Sequence, residues 1–189
     1  DPEHQWFIDP LDGTLNYAHG LRYYCTTIAY ARAGQLRLGV IYSPREEECF
    51  TAELGKGAHL NGKPVFVSPA EKLEDSLLAT GFRATLIDTP RSNYGNFLRL
   101  SRIAQGVRRL GSAAMDLAYV ACGRLEGFWD IQLNPWDVAA GVLMVREAGG
   151  IAETLYGEGS LLCSPVDILA SNQPIFSPLQ AILNAERER

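Results

Sequence analysis

The order of strand-like and helical segments constrains the fold of this 189-residue chain more than any other feature. Short β-rich segments fill the first third, and turn residues separate them. The predicted strands are residues 5–8, 23–31, 36–43, 48–53 and 65–67. Asn61-Gly62 is a strong signal for a two-residue hairpin, and Gly34-Gln35 indicates another hairpin turn. These segments together predict an antiparallel meander.

Helical segments begin after Pro69 and alternate with further strands. The predicted helices are residues 93–105, 112–122, 135–148 and 175–188, and the predicted strands are 76–80, 107–110, 127–130 and 168–171. The helix at 135–148 is the clearest, because Pro135 suits a first helical turn and Gly149-Gly150 ends the pattern. We therefore predict two packed lobes, with the meander in residues 1–70 and an α/β lobe in residues 71–189.

Composition argues against several classes of protein. The chain has 17 Lys and Arg against 22 Asp and Glu, a net charge of −5, which disfavours a protein that coats nucleic-acid phosphates. No apolar run approaches the roughly 20 residues of a membrane span. The four cysteines are widely spaced without a Cys-x-x-Cys pair, which favours a reducing cytoplasm and gives no zinc-ligand pattern. We therefore expect a cytoplasmic protein without nucleic-acid or membrane partners.

Three aspartates suggest where chemistry occurs. Asp9 and Asp12 flank a predicted turn, and Asp137 stands at the start of the clearest helix. Each has an ordinary structural role by itself, as a turn former or as a complement to a helix dipole. Together they form an oxygen-only ligand set, which favours a hard cation such as Mg²⁺. Gly13 and Thr14 follow with backbone N–H groups at a short predicted helix start, a setting that attracts phosphate oxygens.

Two longer motifs carry a family resemblance. Residues 6–17 read WFIDPLDGTLNY, and residues 135–141 read PWDVAAG, followed by EAGG at 147–150. They resemble the two signatures of the inositol monophosphatase family, and the resemblance extends over essentially the whole chain. It implies a sugar-phosphatase-like α+β fold in which layers of helices alternate with mixed and antiparallel sheets. It also implies a lithium-sensitive, Mg²⁺-dependent phosphomonoesterase that often forms homodimers.

The resemblance also implies metal ligands and catalytic groups. Asp9 would bridge two Mg²⁺ ions, Asp12 and Asp137 would bind the second ion, and the Leu11 carbonyl would bind the first. Asp12 and the Thr14 hydroxyl would act in catalysis, with Thr14 orienting the attacking water. Two metal ions can activate water directly, so no Ser, Cys or His nucleophile is required. We accordingly expect the three histidines to be structural or surface residues: His4, His19 and His59.

A second set of residues is implied to bind the substrate, a small phosphorylated polyol. The backbone of Gly13 and Thr14 would hold the phosphate, and Asp130 and Asp137 would contact the polyol. The segment expected to touch its hydroxyl groups is Gly111, Ser112 and Ala113. Asp130 stands where the family usually has Glu, which keeps the charge but shortens the reach and leaves the identity of the polyol open.

One departure from the family concerns the start of the chain. The family carries a Glu-Glu pair upstream of the first motif, one member of which binds the first metal, and only eight residues precede Asp9 here. Either the chain is part of a longer polypeptide or a ligand has been lost. We expect the former, because three other metal-site carboxylates would hardly persist without a use. The given residues are expected to turn over slowly or not at all, and to expose an apolar sheet surface that the first helices would cover.

Several functions stay open at this point. Myo-inositol monophosphate is the first choice of substrate, and histidinol phosphate, fructose 1,6-bisphosphate and phosphoadenosine phosphates are alternatives. A non-catalytic member of the family that binds a partner protein is a different kind of hypothesis. A third is a structural domain stabilised by Ca²⁺ or Mg²⁺.

Overall fold

A computed structural model describes residues 3–86, 88–89 and 92–185. A six-stranded antiparallel sheet occupies the first third, with its strands in chain order. The strands are β1 (His4–Asp12), β2 (Cys25–Arg32), β3 (Gln35–Ser43), β4 (Glu48–Glu53), β5 (Gly57–Leu60) and β6 (Lys63–Val65). The predicted meander is confirmed, as is the hairpin at Asn61-Gly62, whose φ angles are 49° and 76°. The β2–β3 turn is formed by Ala33 and Gly34, one residue earlier than predicted.

The strand β1 is longer than predicted. We expected it to end before Asp9, because Pro10 and Gly13 are turn residues. Instead β1 continues to Asp12 and pairs with β2, with a shift of register between Asp9 and Asp12. Proline is tolerated there because β1 is the edge strand of the sheet, where an N–H is not needed for pairing.

The second sheet is mixed, and its strand order is β10-β11-β9-β7-β8. Its strands are β7 (Leu77–Thr80), β8 (Gly106–Arg108), β9 (Gly127–Leu133), β10 (Ile151–Thr154) and β11 (Val166–Ser171). β7 lies parallel to both β8 and β9, whereas β9, β11 and β10 pair antiparallel. The prediction omitted β10, because four residues after a glycine pair carry too little pattern to be read as a strand.

Five α-helices complete the described chain: α1 (Thr14–Ala18), α2 (Tyr94–Leu100), α3 (Ala113–Ala121), α4 (Pro135–Glu147) and α5 (Gln173–Asn184). The prediction extended α2 to Gln105, but the chain tightens into i→i−3 bonds after Leu100. α5 begins two residues before the predicted Ile175, because the Asn172 side chain caps it. Its predicted end at Glu188 lies outside the described residues. No helix of the described chain has the length and apolar character needed to cross a bilayer.

The helices α3 and α4 form a layer between the two sheets. α4 contacts β2 and β3 on one side and β10 and β11 on the other. The apolar core therefore includes Phe7 and Ile41 from the first sheet together with Phe128 and Ile168 from the second. α2 and α5 cover the far face of the second sheet through a separate cluster around Trp129. The layered α+β fold is confirmed, and the division at residue 70 stays a prediction.

The outer face of the first sheet is apolar and open to solvent. Alternate residues of β1 to β3 point away from α3 and α4, and these include Trp6, Ile8, Ile28 and Val40. Trp6 is 61% exposed and Ile8 is 54% exposed. An apolar sheet surface is therefore exposed in this structure.

Candidate active site

Asp9 and Asp12 are both carried by β1, on either side of its irregular register. Asp9 pairs with Thr27 and Asp12 pairs with Cys25. Two residues lie between the aspartates, whereas only one lies between their partners. Such a bulge redirects side chains locally. The Asp9 Oδ1 atom accepts a hydrogen bond of 3.0 Å from the Leu11 N–H, which fixes the carboxylate against its own strand.

Asp12 connects β1 to the start of α3. Its Oδ2 atom accepts hydrogen bonds from the Ser112 hydroxyl at 2.7 Å and from the Ala114 N–H at 2.8 Å. Burial raises the pKa of Asp12 to about 6, the two hydrogen bonds oppose the rise, and the charges of Asp137 and Asp9 add to it. The three aspartates are therefore close enough to repel one another.

Asp137 lies in the first turn of α4, where it also has a structural role. Its Oδ2 atom accepts from the Asn134 N–H at 2.8 Å, and the two residues form a capping box. Burial raises the pKa of Asp137, Asn134 opposes the rise, and the charge of Asp9 adds to it. The Thr27 hydroxyl donates to the Trp136 carbonyl at 3.1 Å and so ties the start of α4 to the first sheet.

Asp12 and Asp137 line one cavity of about 220 Å³, although they are far apart in the chain. Asp130 and Asp116 line the same cavity. So does the segment Gly111, Ser112 and Ala113, which the resemblance implied to contact the substrate. The structure thus brings together most of the residues chosen from the sequence, and their individual roles stay predictions. None of the three histidines lines this cavity.

The donor set fits a hard cation in charge and in ligand type. Asp9, Asp12 and Asp137 form no ion pair with any described Lys or Arg, although the positive charge of Arg83 offsets part of the negative charge at Asp137. Carboxylate and carbonyl oxygens are the ligands that Mg²⁺ and Ca²⁺ prefer. Within the part of the chain that the structure describes, however, no three His, Cys, Asp or Glu side chains have the geometry to hold a metal ion by themselves. A metal ion bound here would therefore need further oxygen ligands besides these side chains.

The predicted phosphate site lies beside these carboxylates. Gly13 precedes α1 with a φ of 85°, and a Cβ atom there would lie 2.9 Å from the Tyr23 carbonyl oxygen, so only glycine fits. Thr14 is the first residue of α1, and its hydroxyl donates to the Leu11 carbonyl at 2.8 Å. The group expected to orient water therefore contacts the carbonyl expected to bind metal.

The substrate-binding segment is held at the start of α3. Ser112 caps the helix, and its hydroxyl accepts from the Met115 N–H at 3.4 Å while it donates to Asp12. Gly111 has a φ of 91°, and a Cβ atom there would lie 3.1 Å from the Asn16 side chain. The buried Asn16 amide in turn donates to the Tyr23 and Leu110 carbonyls at 2.7 and 2.8 Å. This network places the segment beside α1.

Asp130 is buried at one end of the cavity, and the second sheet forms that end. The Ile131 N–H donates to its Oδ1 atom at 2.7 Å, and the carboxylate packs directly over Gly81. Burial raises the pKa of Asp130 to about 7, whereas the hydrogen bond and the positive charges of Arg83 and Arg109 lower it. Any Cβ atom at residue 81 would displace this carboxylate.

Three charged residues that line the cavity were not predicted as site residues from the sequence, namely Asp116, Arg83 and Arg109. Asp116 is the one charged residue of α3 and accepts a hydrogen bond from the Tyr23 hydroxyl at 2.8 Å. Burial raises its pKa well above the ordinary value. A lone charge in an otherwise apolar helix was the available signal for Asp116. The two arginines lie in segments without a motif.

Stability should depend on pH through Asp130. A carboxyl group whose pKa is raised from 3.8 to about 7 by folding stabilises the protein most when protonated. Its contribution is complete below the unfolded pKa and is lost as the pH rises through the folded pKa. With metal chelated, we expect the free energy of unfolding to fall as the pH rises from about 4 to about 7. Urea denaturation at each pH measures the free energy of unfolding.

The matched variant for this test is Asp130→Asn. It should reduce the slope of stability against pH, while Asp12 and Asp116 still contribute in the same direction. A slope as steep as that of the unaltered protein would contradict the assignment to Asp130.

Comparisons with known proteins agree with this geometry. The sequence profile of the inositol monophosphatase family matches residues 1–188. The inositol-1-monophosphatase of Synechocystis sp. is 45% identical over 185 residues, covering 95% of this chain and 62% of that protein. The Nus factor SuhB of Pseudomonas aeruginosa is 42% identical over 181 residues, covering 94% of this chain and 66% of that protein.

A solved structure is similar over nearly the whole chain. The inositol monophosphatase from Anabaena (Nostoc) sp. PCC 7120 superposes with a TM-score of 0.90 at 43% identity, covering 97% of this chain and 72% of that one. The present chain spans less than two thirds of the length of the two curated relatives. With a family match over almost every residue and a shared fold, the chain belongs to the inositol monophosphatase family.

Proposed function

We propose that the protein hydrolyses phosphomonoesters of sugar-like polyols with the help of Mg²⁺, with myo-inositol monophosphate as the first choice of substrate. The observation that carries this proposal is the convergence of Asp12 and Asp137 on one cavity with the segment Gly111 to Ala113. Because the chain spans less than two thirds of its curated relatives, the proposal concerns the protein that contains it.

The proposed metal ligands are the carboxylates of Asp9, Asp12 and Asp137 and the carbonyl of Leu11. When bound there, Mg²⁺ would polarise the phosphoryl oxygens and make a bound water a stronger nucleophile. The protein holds the ligands in place beforehand, since Ser112 and Ala114 orient Asp12, and Asn134 orients Asp137. Pre-oriented donors need little rearrangement when the ion binds.

The remaining proposed roles concern the substrate. The Gly13 and Thr14 N–H groups would hold the phosphate, and the Thr14 hydroxyl would orient the attacking water. The polyol hydroxyls would form hydrogen bonds with the carboxylates of Asp130 and Asp137 and with the segment at 111–113. Buried carboxylates suit hydroxyl recognition, because a missing hydroxyl would leave them unpaired at a cost.

Phosphate release tests the function. Protein expressed from the complete reading frame should release phosphate from myo-inositol monophosphate in Mg²⁺, and chelation or added Li⁺ should abolish or strongly reduce the rate. Histidinol phosphate, fructose 1,6-bisphosphate and a phosphoadenosine phosphate serve as competing substrates in the same assay. Absence of metal-dependent release from all four would overturn the proposal.

A non-catalytic role in partner binding is the second candidate. It is favoured by the 42% identity to a protein named Nus factor SuhB. Protein that binds a partner yet releases no phosphate from the panel would support it. We also propose that the protein forms a homodimer, which light scattering tests.

A further inference from the structure

The carboxyl ends of three parallel strands meet at one edge of the second sheet. β8, β7 and β9 are neighbours in that order, and all three run in the same direction. Arg109 directly follows β8, Arg83 follows β7, and Asp130 lies on β9 next to the residue paired with Thr80. Ligands of sheets with this arrangement bind outside the carboxyl ends of the strands. This edge forms one wall of the candidate active site.

Both arginines at this edge are free to bind a ligand. Arg83 and Arg109 are exposed, and both line the cavity that contains Asp12 and Asp137. Their positive charges reach Asp130, yet neither side chain forms an ion pair or hydrogen bond with another described residue. Arg32 and Arg124, by contrast, are paired with glutamates on the surface. These guanidinium groups offset part of the negative charge of Asp130 and Asp137, and their N–H groups are available to a ligand in the cavity.

The segment that carries Arg83 is anchored. The Phe82 ring stacks on Tyr94 with centroids 4.4 Å apart and meets Phe97 edge-on at 5.4 Å. The Asn93 side chain donates to the Gly81 carbonyl at 2.9 Å. Such anchoring limits the backbone freedom that a binding residue would lose on meeting its ligand. Arg83 therefore projects from a pre-organised position.

We propose that Arg83 and Arg109 form a subsite for a second anionic group, a phosphate or carboxylate, on the polyol phosphate substrate. The inference rests on the proposed function, which places the reacting phosphate beside Asp12 and Asp137. Guanidinium groups bind phosphate and carboxylate oxygens through paired N–H donors. Asp130 would accept a hydroxyl between the two anions, and its raised pKa of about 7 limits its repulsion of them.

The test compares three substrates in five proteins. The substrates are fructose 1,6-bisphosphate, 6-phosphogluconate and myo-inositol 1-phosphate, which carry a second phosphate, a carboxylate and no second anion. The proteins are the unaltered form, Arg83→Gln with Arg109→Gln, each single variant, and Arg102→Gln as an exposed control outside the cavity. We expect the double variant to lose about tenfold or more in kcat/KM for a doubly anionic substrate, the loss expected for hydrogen bonds to a charged group. The loss for myo-inositol 1-phosphate should be several-fold smaller than the loss for the doubly anionic substrate, because myo-inositol 1-phosphate has no second anion for the subsite to bind.

Calorimetric binding of the same compounds separates this inference from the proposed function. If no substrate is hydrolysed, the proposed function fails, but an affinity for doubly anionic compounds that depends on the two arginines still supports the subsite. Equal losses for all three compounds, or no loss in the double variant, would overturn the subsite while hydrolysis stands. If the kcat/KM of fructose 1,6-bisphosphate falls in the double variant, the second group is a phosphate. If that of 6-phosphogluconate falls, the second group is a carboxylate.

Discussion

Replacing Asp12 with Asn is expected to lower phosphate release at least about 100-fold, because even an outer partner of a metal ligand contributes up to that factor. The amide has the size of the carboxylate and can still accept hydrogen bonds from Ser112 and Ala114. It removes the charge that a cation needs, together with the repulsion from Asp9 and Asp137. Activity should therefore be lost without loss of the fold. A phosphate-release assay measures the loss of activity, and calorimetry measures the loss of Mg²⁺ binding.

The control for this variant is Asp75→Asn, which removes an exposed carboxylate from a short turn far along the chain. It should leave both the rate and the metal affinity unchanged. Thermal unfolding of the Asp12 variant should occur at or above the temperature of the unaltered protein, since a buried repulsive charge is gone. Activity within tenfold of the unaltered protein would contradict the assignment of Asp12 as a ligand.

Replacing Trp129 with Ala should destabilise the protein by about 3–5 kcal/mol, the usual cost of removing a large buried aromatic side chain. Trp129 is fully buried in the cluster between the second sheet and α5. Its indole N–H donates to the Asn93 side chain at 2.6 Å, and Asn93 in turn holds the Gly81 carbonyl. Because whole domains are stable by only about 5–15 kcal/mol, the loss should be plain in urea denaturation.

Two further variants separate packing from hydrogen bonding at Trp129. Trp129→Phe keeps most of the apolar volume but leaves the buried Asn93 oxygen without its donor, so we expect an intermediate loss of about 1–3 kcal/mol. Trp136→Ala removes a tryptophan that is 43% exposed, and its cost should be smaller than either. Equal costs for the two alanine variants would contradict the burial of Trp129.

The limits of sequence interpretation are visible in β1. Pro10 and Gly13 are turn formers by local chemistry, so the strand was expected to end before Asp9. Its extension to Asp12 depends on β1 being the edge strand, which is a property of the assembled sheet. Asp116, Arg83 and Arg109 were missed for a related reason. These residues line the cavity because the second sheet and α3 place them there. The type of a single residue does not indicate such a position in the fold.

The sequence by itself determined the local features that depend on neighbouring residues. These include the hairpin at Asn61-Gly62, the helix that begins at Pro135, and the acidic motif whose oxygen donors favour a hard cation. Tertiary structure decided which distant groups meet, because α4 packs between the sheets and brings Asp137 to the cavity lined by Asp12. It also decided the charge balance there, since burial and mutual repulsion raise pKa values only once the chain has folded.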